Sequence, residues 1–409
     1  MKKISAVLLV LVLVGSVAFA GFTGSASAEL GYDFDTGVYG FANLTDLAAD
    51  LVFHEALGEA KGEGDVYAEI KASVKFTFNN GNEGSLHKAD QIDVSGSISS
   101  AKIIGDGWYV GIKSALDAPN FAKSAIDSNK RAQGPNDLGY SRADLTDYAD
   151  VQASQWITKN AGVEVGFKDF IGSVGLVGNS TTGAYKVYGS VTTPAFEVAD
   201  GVKVQIGGAG YAANTGFGAN TGFGASGSVK GSVTNDDLTA SFAADAIYDG
   251  GLKADAVAKV VYDPVTVDAY YATGLYYNKV DQAVPHYLSA KVSFAIDKIN
   301  VAVTGKNLVN KQALSAEATF AATEELDVTV SGGYTLNGGA WNAGGAVEYA
   351  AEKFTVTADA TYESTVGLEI NAGVESETLV NGATLYANYG VDDILTEKGT
   401  VTVGVEIAF

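Results

Sequence analysis

The chain has 409 residues, no cysteine and a formal net charge of −22. This acidity excludes a nucleic-acid partner, because phosphates require a basic surface, and the lack of cysteine excludes a disulfide framework. The 50 glycines and 21 tyrosines, with only 5 prolines, are typical of long paired strands, since proline cannot donate to a β-ladder.

The first twenty residues have the three parts of an export signal. Lys2 and Lys3 follow the first residue, Ile4–Val14 is an apolar run with Ser5 as its one polar residue, and Ala18–Ala20 has the small residues of a cleavage site. The apolar run is too short to cross a membrane as a helix, and no cysteine follows it as a lipoprotein anchor would require. We therefore predict a signal peptide over residues 1–20 and a mature chain that begins at Gly21, in a bacterial envelope.

The N-terminal part of the mature chain alternates between apolar and polar residues. The alternation is loose over residues 25–53 and unbroken over Val66–Phe78. Ile92–Ile104 and Trp108–Leu116 predict a hairpin around Gly105–Gly107. Runs of this length exceed the usual globular strand but suit tilted membrane strands.

The alternation stops over Asp117–Asp150. This stretch is polar, includes two prolines and has no sustained period, and it holds both arginines of the chain, Arg131 and Arg142. A segment this long without secondary structure is usually functional or disordered. We predict an irregular loop that either lies at the surface or folds into a lumen, where Arg131 and Arg142 would be constriction-loop candidates.

From Ala161 onward the chain is nearly continuous strand and turn. A tandem hexapeptide at Asn214–Ala225 is interpreted as a glycine-rich loop that leads into a strand at Ser226–Val233. The last strand, Thr400–Phe409, places valine, isoleucine and phenylalanine on one face and mainly threonine, glycine and glutamate on the other. A strand of about ten residues with one apolar and one polar face is the unit of a transmembrane β-barrel.

The alternation predicts an all-β fold, a single large antiparallel transmembrane β-barrel over residues 21–409. We expect about 18 to 22 strands, with 20 as the best single value, because bacterial barrels have an even number. An ordinary antiparallel sheet with one face in bulk water is the alternative. Aromatic residues recur at strand ends on the apolar face, where interfacial girdles lie in such barrels: Tyr248, Tyr262, Tyr334, Trp341, Tyr349 and Tyr362.

Few residues have the spacing of a catalytic or ligand site. Gly222–Gly227 matches the G-x-G-x-x-G motif, but a β-like run follows it where a dinucleotide site needs a helix. His54, His87 and His286 are isolated, and none has a second histidine at metal-ligand spacing. No catalytic, cofactor or metal site is predicted, and an outer-membrane hydrolase is left as a minor alternative.

The polar face of the strands carries many charges. A packed core would not accept them, since buried charges without partners are costly, whereas a water-filled lumen would. The acidic pore-lining candidates are Asp245, Asp255, Asp268, Glu317, Asp327, Glu348, Asp359, Glu369, Glu375 and Glu406. The basic pore-lining candidates are Lys253, Lys259, Lys291 and Lys306.

Three stretches in the N-terminal third carry a family resemblance: ELGYDFDTGVYGF at Glu29–Phe41, GEGDVYAEIKASVKF at Gly62–Phe76 and GWYVGIKSALDAPNFAKSAI at Gly107–Ile126. They resemble the spirochaetal (treponemal) major outer sheath protein family. The resemblance implies an exported outer-membrane protein with porin activity, adhesion to host extracellular matrix and homo-oligomers, of which a trimer is one form. Residues 21–150 would then either join the barrel or form a periplasmic part, and their strand pattern favours one barrel.

These features predict an outer-membrane porin, a passive diffusion channel for small hydrophilic solutes and ions. A cation preference is expected because acids outnumber lysines among the pore-lining candidates. The alternative is a structural surface protein or adhesin that binds host matrix through its loops. The expected partners are outer-membrane lipid, the barrel-assembly machinery and small solutes, with no enzymatic activity, cofactor or nucleic acid.

Overall fold

The structure, a computed structural model, describes residues 22–41, 46–56, 66–79, 91–114, 116, 118–122, 126, 161–179, 181, 183–214, 222–235, 237–248, 252–276, 283–309 and 312–408. The predicted signal peptide, Arg131, Arg142 and Phe409 lie outside these ranges. No helix in the described part of the chain is long and apolar enough to cross a membrane.

The fold is all-β. Its strands are β1 Phe22–Asp33, β2 Tyr39–Phe41, β3 Asp46–Ala56, β4 Tyr67–Asn79, β5 Gln91–Gly105, β6 Trp108–Lys113, β7 Gly162–Phe167, β8 Phe170–Asn179, β9 Ala184–Thr192, β10 Phe196–Ala199, β11 Val202–Ala213, β12 Gly222–Asn235, β13 Leu238–Tyr248, β14 Leu252–Tyr262, β15 Val265–Tyr276, β16 Ala283–Ile296, β17 Ile299–Lys306, β18 Ala313–Ala321, β19 Leu326–Thr335, β20 Trp341–Ala350, β21 Thr355–Glu363, β22 Gly367–Val380, β23 Ala383–Val391 and β24 Thr400–Ala408.

The strands form one antiparallel ladder that returns to its start. Apart from β2 with β3 and β9 with β10, strands that follow one another in the chain are paired, and β24 pairs with β1 from Ser25 opposite Ala408 to Asp33 opposite Thr400. Two positions in the ring are shared: β2 and β3 both pair with one edge of β1, and β9 and β10 both pair with one edge of β11. The 24 segments therefore occupy 22 positions, within the predicted range but two more than the best single value of 20.

The two ends of the barrel differ in their connections. At the end that holds Phe22 and Ala408, most strands are joined by short turns. One of these turns uses Lys168 and Asp169, whose φ values of 46° and 70° are the left-handed values that a type I′ hairpin requires. At the other end the connections are generally longer, and the longest joins β6 to β7 across residues 114–161.

The outer face of the ring is apolar. Side chains such as Ile112, Leu176 and Val330 are more than half exposed there, as lipid-facing positions would be. The aromatic residues predicted at strand ends are exposed on this face, and the Trp341 and Tyr362 rings lie 5.2 Å apart at one rim. Tyr349 lies eight residues from Trp341 along β20, about 26 Å of strand or about 20 Å along the membrane normal at a tilt of about 40°, which is close to the apolar band of about 25 Å in outer-membrane barrels. The molecule is a large transmembrane β-barrel.

The interpretation of the tandem hexapeptide as a loop is wrong for part of its second copy. β12 begins at Gly222, opposite Ala213 of β11, and pairs without a break from there. Four residues assigned to the loop, Gly222–Ala225, are therefore ladder residues. A stretch rich in glycine and other small residues can pair through its backbone in a strand as well as form a loop. Composition alone therefore does not distinguish the two at Gly222–Ala225.

Candidate functional site

The inner wall of the barrel is the candidate functional site. Strand register places one parity of every strand inward: Asp245 lies opposite Asp255, and Asp268 lies between Lys259 and Lys291 on the neighbouring strands. When this register is followed around the ring, all fourteen pore-lining candidates lie on the inner face. For Lys253 the assignment rests on its backbone position in β14.

The structure brings some of these candidates together and separates others. The Lys259 Nζ atom is 4.0 Å from Asp268 Oδ1, an ion pair in which the lysine is about half exposed. Asp327 and Glu348 are directly opposite across β19 and β20. Like charges in this arrangement repel and are tolerated where water separates them, so this part of the wall is a solvated surface.

The wall from β18 to β24 is acidic. In the described inner positions of these strands the charged residues are carboxylates, and the rest are threonine, serine, asparagine, glycine and alanine, with Tyr386 as the large exception. Asn371 donates from Nδ2 to Glu369 Oε1 at 2.8 Å and to Asp359 Oδ2 at 3.2 Å. Beside them is an open recess of about 360 Å³, whose lining residues include Thr357, Asn388 and Thr402. This half of the wall offers hydroxyl, amide and carboxylate groups to the lumen.

Sequence reasoning missed an opposing set of lysines. The inner face from β4 to β12 carries Lys71, Lys102, Lys113, Lys186, Lys203 and Lys230. They lie on the polar parity of their strands, so the signal was present but went unused. The inner charge is therefore unevenly distributed around the ring rather than acidic throughout.

Two of these lysines hold a buried carboxylate. Glu164 on β7 is 4% exposed; its Oε2 lies 3.0 Å from Lys113 Nζ and its Oε1 lies 3.3 Å from Lys102 Nζ. The Tyr109 hydroxyl donates to Glu164 Oε1 at 2.9 Å, and Lys102 also lies over the Tyr109 ring. Each partner lies on β5 or β6, so the cluster joins three adjacent strands through side chains as well as through the ladder.

The chain that follows β6 turns into the barrel. We call Leu116 and Ala118–Ala122 the inward segment. The N–H of Phe121 donates to Asp245 Oδ2 at 2.9 Å and Oδ1 at 3.1 Å, and the N–H of Ala122 donates to Oδ2 at 2.6 Å. Because Asp245 lies on the inner face of β13, the inward segment lies inside the barrel wall.

An apolar cluster holds the start of the inward segment. Leu116 is fully buried against Tyr188, Tyr211 and Ile247, which come from β9, β11 and β13. Further along the same wall the rings of Tyr270 and Tyr287 lie 5.8 Å apart, each 1% exposed. This part of the inner wall is packed like a protein core.

The seam between the first and last strands has its own contacts. The Tyr386 hydroxyl donates to Glu29 Oε2 at 3.0 Å across β24. At the rim, both Asp35 carboxylate oxygens accept the Lys398 N–H at 2.9 Å, and Oδ2 also accepts the Gly399 N–H at 3.0 Å. These bonds join the β1–β2 turn to the β23–β24 connection, so the closure of the ring is capped where the ladder ends.

The constriction-loop candidates cannot be placed on this wall, because Arg131 and Arg142 lie outside the described residues. The Gly222–Gly227 motif lies within β12, where a strand continues and no helix follows. Among the described residues, no group of three or more His, Asp or Glu side chains is arranged to hold a metal ion.

Comparison with known proteins gives distant matches only. No protein-family model matches the chain, and neither does any curated protein. A multiple mutant of the porin of Rhodopseudomonas blastica is 10% identical with a TM-score of 0.36, over 95% of this chain and 99% of that one. The translocation pore of the P pilus usher PapC is 9% identical with a TM-score of 0.44, over 95% and 98% of the two chains. Similarities this low establish neither a family nor a function.

Proposed function

We propose that the chain is an outer-membrane porin, a passive diffusion channel for small hydrophilic solutes and ions. The observation that carries the proposal is the closed ladder with an apolar outer face and a charged, hydroxyl-rich inner face. Backbone groups in lipid must be paired, and a closed barrel meets that requirement, while an inner wall of carboxylates and lysines requires water. Diffusion through such a lumen needs no reaction and no cofactor.

The strand number makes the bare lumen wide. A round barrel of 22 strands, spaced about 4.8 Å apart and tilted about 40°, has a backbone diameter of about 44 Å. Inward side chains leave about 30 Å of that width, far more than a small solute needs. The connection between β6 and β7 is long enough to narrow the lumen, and the inward segment is the first part of that connection. We therefore propose that residues 117–150 constrict the lumen.

We also propose a cation preference, which should depend on salt concentration and on the narrowing. Acidic residues dominate the wall from β18 to β24, and lumen carboxylates attract cations. In an unobstructed lumen of this width, charges on the wall lie more than a Debye length of about 10 Å from the axis at 0.1 M salt. The preference should therefore be clear in dilute salt and small at high salt.

The remaining assignments follow from the same proposal. An export signal at residues 1–20 would deliver the chain to the barrel-assembly machinery, and short turns would face the periplasm while long connections face outward. Outer-membrane lipid would cover the apolar face, and homo-oligomers, including a trimer, are the expected assembly. Membership in the spirochaetal outer sheath protein family is proposed on the three stretches that resemble it.

The test is conductance of the purified full-length protein in a planar lipid bilayer. Stepwise conductance increments are expected, and their absence would favour a structural or adhesive surface protein. Deleting Ala122–Gly139 should raise the single-channel conductance and the size limit for solutes, because it removes part of the constriction. Unchanged conductance in that variant would place the segment outside the permeation path.

A further inference from the structure

We propose that Asp245 is the positioning residue that holds the inward segment against the barrel wall and thereby sets the effective width of the pore. Its consequence for permeation rests on the proposed channel function, whereas the contact itself does not. The proposal begins from the placement of a buried carboxylate, 4% exposed, on the inner face of β13.

Asp245 is matched to the backbone of the segment. Its two oxygens receive the N–H groups of two consecutive residues, Phe121 and Ala122, at distances between 2.6 and 3.1 Å. Hydrogen bonds to an ionised acceptor are about twice as strong as those between neutral groups. These contacts use main-chain donors, so they fix the path of the chain and not only a side chain.

The other contacts of the segment are neutral or looser. The Ser228 hydroxyl donates to the Pro119 carbonyl at 3.1 Å, and the Lys230 Nζ atom lies 4.8 Å from the centre of the Phe121 ring. Among the hydrogen bonds of Ala118–Ala122 within the described part of the chain, Asp245 is therefore the only carboxylate acceptor. Asp245 is the strongest single attachment of the part of the inward segment that follows Leu116 and its apolar cluster.

A second carboxylate favours the docked position. Asp255 on β14 lies directly opposite Asp245, is also 4% exposed and accepts the Tyr270 hydroxyl at 3.2 Å. Two neighbouring buried carboxylates repel each other. The N–H groups of the inward segment offset that repulsion, so removing the segment would leave Asp245 facing Asp255 without them.

The wall is also shaped for the segment. Gly207 on β11 lies against Pro119, and a side chain at position 207 would occupy the space of the proline ring. A glycine at this point lets the segment approach the strand closely. Gly207, Ser228 and Asp245 thus form a seat on three adjacent strands, reached by Pro119–Ala122.

The experiment compares Asp245→Asn with the wild-type protein. The amide removes the charge and places an N–H₂ group near two N–H donors, so the ratio of docked to released segment should fall about tenfold or more. The expected results are a higher conductance, a larger solute-size limit in liposome swelling, and faster hydrogen exchange at Phe121 and Ala122. Asp237→Asn, in the turn before β13, removes the same charge away from the segment and should change none of the three.

A disulfide provides a rescue that a general structural defect would not permit. Because the chain has no cysteine, Pro119→Cys with Ser228→Cys introduces a single pair at two positions where the Ser228 hydroxyl already lies 3.1 Å from the Pro119 backbone carbonyl. In the Asp245→Asn background, oxidation should restore the lower conductance and reduction should raise it again. Failure of the cross-linked protein to regain the lower conductance would overturn the proposal.

Each remaining outcome is decisive. Unchanged conductance and unchanged exchange in Asp245→Asn would overturn the anchor. If Asp245→Asn fails to insert, Asp245→Glu is the second variant, because it keeps the charge but moves it by one methylene. Hydrogen exchange at Phe121 and Ala122 that is as slow in Asp245→Glu as in the wild-type protein would contradict the proposal. A wild-type protein that docks the segment but forms no channel would refute the porin proposal and leave the anchor supported by exchange.

Discussion

Two stretches of the inner wall are unlike, and we call β8 to β16 the packed half and β18 to β24 the open half. From β8 to β16 it is packed: Tyr188, Tyr270 and Tyr287 are each 1% exposed, and the inward segment covers part of this wall. From β18 to β24 it is open and consists mainly of threonine, asparagine, glycine and carboxylates, with Tyr386 as the large exception. On the outside the two halves present the same apolar face.

The difference shows that the inward-facing polar residues of a barrel strand can either face water or pack against another part of the chain. On the open half, water solvates the carboxylates, so directly opposed acids such as Asp327 and Glu348 are tolerated. On the packed half, Asp245 is tolerated because backbone N–H groups of the inward segment are bonded to it. The packed half therefore contributes stability as a core does, and the open half contributes charge to the lumen.

The largest expected effect comes from removing the strand that both halves need. Deleting Gly404–Phe409 takes away most of β24 and leaves unpaired edges on β23 and β1, where each unpaired backbone group in lipid costs several kcal/mol. We expect export to continue and stable insertion to be lost. The measurement is heat-modifiable migration of protein from the outer membrane, and normal migration of the truncated chain would contradict the closed ladder.

The next effect separates the halves directly. Tyr270→Ala on the packed half should lower the free energy of unfolding by about 3–5 kcal/mol, as large aromatic truncations in cores do. Thr357→Ala on the open half should cost less than about 1 kcal/mol, because solvent already reaches that position. Denaturant unfolding in lipid vesicles measures both, and equal costs would show that the two halves are packed alike.

The two faces of the open half should respond differently to charge. Ala358→Lys puts an ammonium group on the lipid side of β21, near the middle of the strand, and should cost about 2–4 kcal/mol near the bilayer midplane. The neighbouring Thr357→Lys faces the lumen and should cost much less. The same holds for Ile370 and Glu369 on β22. If lysine were equally tolerated at both parities, the assignment of the lipid face would be wrong.

The charge difference between the halves should appear in ion selectivity. Neutralising Glu348, Asp359 and Glu369 together should move the reversal potential in a dilute KCl gradient toward zero, because it removes lumen acid. The matched change on the lysine-bearing wall, Lys186, Lys203 and Lys230 to Gln, should move it the other way. Chloride preference in the wild-type channel would reject the proposed role of the acidic wall.

The smallest effect lies at the rim of the open half. A backbone N–H bond from Leu368, with further bonds from Leu395 and Thr396, lowers the pKa of the Asp393 carboxyl below its usual value. Its contribution to the β23–β24 connection is therefore present above the unfolded pKa of about 3.9 and is lost as the pH falls through the lowered value. Exchange of the Leu395 amide should stay slow near neutrality and quicken below about pH 4 relative to an Asp393→Asn control. If the ratio of the Leu395 exchange rate to that of the Asp393→Asn control did not change with pH, the role of this carboxylate would be contradicted.

The sequence by itself determined the class of fold and the two faces of the wall. Successive side chains of a strand point to opposite sides, so Val356 and Thr357 are assigned to lipid and lumen by their order in the chain alone. The hairpin of β5 and β6 was likewise predicted from a local turn signal between alternating runs. These features depend on residues a few positions apart.

Only the tertiary structure decided which parts of the polar face are covered. Asp245 and Glu348 have the same local pattern, yet one lies beneath residues more than a hundred positions earlier in the chain and the other faces the open half. The merging of β9 with β10 into one ring position also depends on a partner strand, β11. Such outcomes follow from which strands become neighbours and where the chain between β6 and β7 runs, and period-2 alternation contains no information on either.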